Sequence, residues 1–99
     1  MKEIIFDNRD EALEFIRKKL VLTKIDNELK DLIDKINNNT LLLGHYCIDK
    51  ITVVSDEKYY YIVYFTDVSD DFARIFKTEN EVKRELEEMI HNYQNYHEN

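Results

Sequence analysis

The chain has 99 residues, 43% of them hydrophobic and 35% charged, with one Gly, one Cys and no Pro. That length and balance predict a single globular domain over residues 1–99, and a lone Cys47 that cannot form an internal disulfide suits a reducing cytosol. The net charge of −7 is uneven: residues 1–50 hold ten acids against nine bases, residues 51–99 eleven against five, which argues against direct binding to nucleic acid or anionic lipid and for a basic protein partner.

Residues 2–6, KEIIF, read as a short strand. The acids Glu3, Asp7, Asp10 and Glu11 argue against an apolar signal segment, and runs such as Leu41-Leu42-Leu43 are too short to cross a bilayer. Asn8 and Glu11 have capping-box spacing, so a helix is predicted over 9–21, with Ala12, Leu13, Ile16 and Leu20 on one face and Phe15 widening it. A second helix runs from Thr23 to about Asn37, with Ile25, Leu29, Leu32, Ile33 and Ile36 as its amphipathic stripe. Asn37-Asn38-Asn39 ends it, because Asn tolerates turn conformations. The short connection folds the two helices into a hairpin.

Residues 41–66 form the predicted extended region. IDKITVV (48–54) and YYYIVYFT (59–66) are rich in β-branched and aromatic residues, and the polar SDEK between them makes a β-hairpin. After the loop DVSDD, FARIFK (72–77) is a further strand. Thr78 and Glu81 then make a full capping box for the last helix, whose apolar stripe is Val82, Leu86, Met89, Ile90, Tyr93 and Tyr96. Shifted by 70 residues, Ile5, Phe6, Glu11 and Ala12 align with Ile75, Phe76, Glu81 and Val82; shared strand-to-helix chemistry accounts for this more simply than duplication.

Alternation along a strand puts Tyr59, Tyr61, Val63 and Phe65 on one face and Tyr60, Ile62, Tyr64 and Thr66 on the other. Two apolar faces fit three arrangements: a central strand with helices over both faces, an exposed aromatic face that binds a partner, or a ligand pocket. Tyr suits the second because its ring buries well while its hydroxyl stays wet. The loop acids Asp67, Asp70 and Asp71 lack the Gly and the bidentate Glu of a calcium loop, so no metal is expected there. Glu79, Glu81, Glu85, Glu87 and Glu88 add negative charge along the last helix, partly balanced by Lys83 and Arg84.

No catalytic set is legible. His45 and Cys47 lie two apart without a third orienting group, His91 and His97 fall on different helix faces, and a single Gly rules out a phosphate-cradling loop. A helix-turn-helix over 9–37 would carry Asp26, Glu28, Asp31 and Asp34 on its recognition helix, which phosphates would repel. No cofactor, metal or catalytic residue is therefore expected.

The sequence predicts an α+β domain of order β-α-α-β-β-β-α with a mainly antiparallel sheet packed against helices. Its function reads as a cytoplasmic, non-catalytic binding protein of bacterial or phage origin, an inhibitor or immunity-type protein. Asp67, Asp70, Asp71, Glu81, Glu85 and Glu88 would mimic phosphates on a basic surface of another protein, with Tyr59, Tyr60, Tyr61 and Tyr64 as desolvated anchors. Anti-CRISPR, anti-restriction and toxin-immunity proteins share that physical character. The alternative is a module that self-associates, as a homodimer, through an open sheet face or the last helix.

Overall fold

Every apolar position of YYIVYFT finds a packing partner, because this run becomes the middle strand of a sheet with helices on both faces. The computed structural model describes residues 2–21 and 26–98. Within them the chain forms β1 (Glu3–Ile5), α1 (Arg9–Arg17), β2 (Leu20–Val21), α2 (Asn27–Asn37), α3 (Thr40–His45), β3 (Ile48–Ser55), β4 (Tyr60–Thr66), β5 (Phe72–Phe76) and α4 (Glu79–Glu98). The strands make one antiparallel sheet in the order β1-β5-β4-β3-β2. The expected α+β order holds, with β2 and α3 as short additions.

Two of the three predicted helix starts, those with capping-box spacing, form as capped turns. The Asn8 side chain accepts from the Glu11 N–H at 3.0 Å, while the Glu11 carboxylate accepts from the Asp7 N–H at 3.0 Å. Thr78 accepts from the Glu81 N–H at 3.2 Å, and Glu81 accepts from the Lys77 N–H at 3.3 Å. The same chemistry thus starts α1 and α4, as their sequence echo implies, yet the two helices pack on opposite faces of the sheet.

Three local expectations are corrected. The first helix ends at Arg17 rather than residue 21: Leu20 and Val21 pair with Ser55 and Val54 as an edge strand, a use that suits a β-branched residue. Residues 23–25, including Ile25, lie outside the described residues, and α2 starts at Asn27, with Asp26 accepting from the Leu29 N–H at 2.9 Å. No helix hairpin forms, because α1 covers one sheet face and α2 the other. The third correction is α3, where an extended segment was expected. Asn39 does not merely end a helix but caps the next one, accepting from the Leu42 N–H at 3.1 Å, and Leu42 and Leu43 are buried. Cys47 turns the chain back into β3 at a φ of 59°.

On one face α2, α3 and α4 press Leu29, Ile36, Leu42, Leu86 and Met89 onto Ile51, Val53, Ile62 and Tyr64. On the other, α1 and the end of β1 seal Val54, Tyr61, Val63, Phe65 and Ala73 with Phe6, Ala12, Phe15 and Ile16. Of the three arrangements open to the tyrosine strand, the central strand with both faces covered is the one observed. At the sheet's β2 side, Asn37 acts as a substitute strand. Its amide donates to the Ile51 C=O at 2.9 Å and accepts from the Ile51 N–H at 2.9 Å.

Candidate functional site

The acids of the β4–β5 loop and of β3 converge at one end of the sheet. Asp71 closes the loop from beneath: its buried carboxylate accepts from the Thr66 N–H at 2.9 Å and from Arg9 Nε at 2.5 Å. The Arg9 guanidinium also donates to the Thr66 C=O at 3.1 Å and lies 5.0 Å from the Phe65 ring centre. The Thr66 hydroxyl bonds the Ser69 C=O and tightens the turn, so Asp67, Val68 and Asp70 project into solvent. Burial by itself would push the Asp71 carboxyl up, but Arg9 and the Thr66 N–H outweigh it and hold the group below the usual range.

Asp49 joins this end through a β-bulge. Ile48 pairs with Thr66 and Lys50 with Phe65, leaving Asp49 as the extra residue. A bulge re-aims its side chain, and this one brings Asp49 to within 3.7 Å of Arg9, at the same end of the sheet as Asp67. Contact with the Asp67 side chain, reinforced by burial and by Asp67's charge, raises the proton affinity of Asp49 despite Arg9. Arg9 is committed first to Asp71, so Asp49 and Asp67 remain a like-charge pair with little compensation.

A second acidic cluster lies at the start of α2 and α4. There Glu79 is raised by contact with Asp26, but Lys83 bonds Asp26 at 3.2 Å and Glu28 at 3.4 Å. The Asp26 carboxyl is held down at about 2, chiefly by the Leu29 N–H and then by the Glu79 side chain. That cluster too sets three carboxylates around one cation, but Lys83 bonds two of them directly.

The anticipated aromatic anchors lie elsewhere. Tyr59 is exposed, but Tyr60 is half-buried, and Tyr61 and Tyr64 are core residues at 6% and 3% exposure. The Tyr61 hydroxyl donates to Asp56 at 2.7 Å. Tyr64 stacks on Phe72 with ring centres 4.7 Å apart, under the Arg74 guanidinium. Tyr59 and the loop acids sit at opposite ends of β4, about 23 Å of strand apart at ~3.3 Å per residue. No joint aromatic and anionic ribbon is formed. The physical reason is the central position of β4, which spends both faces on the core.

The acids of α4 have separate surroundings. Glu81 is exposed and caps the helix, Glu85 accepts from Arg74 at 3.0 Å, and Glu88 is exposed beside a cleft of about 240 Å³ lined in part by Tyr64, Phe72 and Met89. Asp71, expected at the surface, is the buried clamp instead. Sequence reasoning missed Asp49 and Arg9; a charged residue interrupting the β3 run is the only signal Asp49 offers.

In comparison with known proteins, no family model, curated protein or solved structure matches the chain.

Exposed groups of a different kind border this end. The chain from His45 to Cys47 leads directly into Ile48, the partner of Thr66. Around His45 gather Tyr46, Tyr93, Tyr96 and His97, with ring centres 4.8 to 5.8 Å from its own. Tyr96 is 67% exposed, as Val68 is at 78%. Among the described residues, no group of three or more His, Cys, Asp or Glu is arranged to hold a metal ion, and no helix is long and apolar enough to cross a membrane.

Proposed function

We propose that this chain is a small acidic, non-catalytic binding protein whose Asp49, Asp67 and Asp70 end occupies a basic, nucleic-acid-binding surface of another protein. The observation that carries the reading is the convergence of Asp49, on the bulge, with the exposed Asp67 and Asp70, on the clamped loop, beside a single guanidinium, Arg9, that is already committed to Asp71. A basic partner group placed there relieves like-charge repulsion that Arg9, bound more closely to Asp71 than to Asp49, leaves standing. Val68, exposed between Asp67 and Asp70, supplies apolar contact beside the acids, in the role first expected of the β4 tyrosines. An anti-defence or immunity-type inhibitor of bacterial or phage origin fits this chemistry, and the exposed free thiol of Cys47 suits the cytosol.

The test begins with affinity capture from the native host, followed by titration of the captured protein against wild type and the Asp49→Asn/Asp67→Asn/Asp70→Asn variant. Exposed charges are screened beyond about 8 Å at physiological ionic strength. Affinity should therefore fall steeply with added salt, and the triple variant should bind at least about tenfold more weakly. Equal binding by the two proteins overturns the reading.

A self-associating module is the second reading, favoured by β1. Lys2 C=O and Phe6 N–H bond toward β5, so Glu3 and Ile5 direct their backbone groups outward, and Ile5 is 65% exposed. Sedimentation over a concentration series decides it: a constant monomer mass rules it out.

A further inference from the structure

The α1 face of the sheet is only partly covered. With nine residues, α1 spans about 14 Å at ~1.5 Å per residue, and the cluster it helps seal buries Phe6, Tyr61, Val63 and Phe65 but leaves Ile75 only partly buried at its margin. Beyond its reach, at the end of the sheet opposite the acidic site, lies a groove of about 540 Å³ lined by Lys2, Tyr59, Ile75, Phe76, Lys77 and Glu81. Its floor is apolar: Ile75 is half-buried and Tyr59 lends an exposed ring. Its rim is cationic, unusual in a chain of net charge −7.

Lys2 and Lys77 have no ion-pair partner within 4 Å among the described residues, a state they share with Lys35, Lys50 and Lys58, but of these only Lys2 and Lys77 stand together on one apolar groove. The one acid of the lining, Glu81, is engaged by the Lys77 backbone N–H at 3.3 Å. An apolar cleft of several hundred cubic ångströms with a few convergent polar groups is the ordinary form of a small-molecule site.

We propose that this groove binds a small amphipathic organic anion: an aryl or alkyl body seated on Ile75 and Tyr59, with a carboxylate, sulfonate or phosphate held between Lys2 and Lys77. The anion's charge selects this groove over the 240 Å³ cleft beside Tyr64, where Arg74 is already paired with Glu3 and Glu85 and where Glu88 adds negative charge. The site is independent of the acidic end, and neither proposal requires the other.

The probe is 1-anilinonaphthalene-8-sulfonate, titrated against the folded protein by fluorescence, with uncharged N-phenyl-1-naphthylamine in parallel. One saturable site is expected for the sulfonate, with amide shift changes confined to the surroundings of Lys2, Tyr59, Ile75 and Lys77. Lys2→Ala/Lys77→Ala should weaken it roughly tenfold and leave the neutral probe unaffected. Lys35→Ala/Lys50→Ala, which removes the same charge elsewhere, should change neither. Sulfonate binding that survives the Lys2/Lys77 change, that falls equally in both double variants, or that the neutral probe matches in affinity overturns the proposal.

Discussion

The Arg9 guanidinium and the Asp71 carboxylate, 62 residues apart in sequence, meet at 2.5 Å and tie the start of α1 to the loop between β4 and β5. Arg9 is half exposed while Asp71 is 5% exposed, so removing either partner has unequal effects. Arg9→Met strands a buried carboxylate and should cost about 3 kcal/mol. Asp71→Asn keeps the shape and should cost about 2 kcal/mol. Chemical denaturation of both single variants and the double variant should show the double costing less than the two added. Since the folded state lowers the Asp71 proton affinity, its contribution is present above about pH 4 and lost as the pH falls further.

Asp49 should behave in the opposite sense. Its proton affinity is raised by Asp67, so the folded state loses stability as the pH rises through the Asp49 titration. Asp49→Asn should therefore raise the melting temperature at pH 7, and the gain should vanish below about pH 4. The same substitution should weaken partner binding. A melting temperature that falls at pH 7 would mean that Asp49 is a structural acid and not a binding one.

The Tyr61–Asp56 bond predicts a loss at both ends of the pH scale. The Tyr61 hydroxyl, followed by the Tyr59 N–H, holds the Asp56 carboxyl at about 2, while burial and then Asp56 push the Tyr61 phenol up to about 12. The stabilisation is lost as the pH falls from about 4 toward 2, and again as it rises from about 10 through 12. Tyr61→Phe should cost about 1 kcal/mol at pH 7, and the difference from wild type should shrink toward either extreme. Ultraviolet titration of tyrosinate should lose its latest component in the variant.

Asn37 is the strongest single-residue test of the sheet edge. Asn37→Ala leaves the Ile51 N–H and C=O without their partner and should cost about 2 kcal/mol. Asn37→Asp keeps the acceptor for the Ile51 N–H but sets a carboxylate oxygen against the Ile51 C=O. It should be no better than Ala at pH 7 and recover as the carboxyl protonates. Thermal melts of both variants at pH 7 and pH 3 check this.

The readable parts of the chain were those set by near neighbours. Thr78 with Glu81, Asn8 with Glu11, and the β-rich runs of β3, β4 and β5 all announce themselves within a few residues. The six-residue α3 did not, because Leu41-Leu42-Leu43 is as consistent with a buried strand as with one and a half helical turns. β2 is two residues long and exists only because β3 offers it an edge. The candidate site was half legible. Asp67 and Asp70 stand out as loop acids, but Asp71's burial, Asp49's bulge and Arg9's role depend on distant pairings that local pattern does not encode. The tyrosines misled for a related reason: their residue type suits a wet interface and a packed core equally, and only the position of β4 within the sheet decides.

That central position has a consequence for deuterium uptake. β4 is bonded along both edges and covered on both faces, so amides such as those of Ile62 and Val63 cannot reach solvent by fraying. They exchange only when the whole domain opens, which makes their rate a direct reading of global stability, whereas β1 and β2 amides should exchange through cheaper local openings.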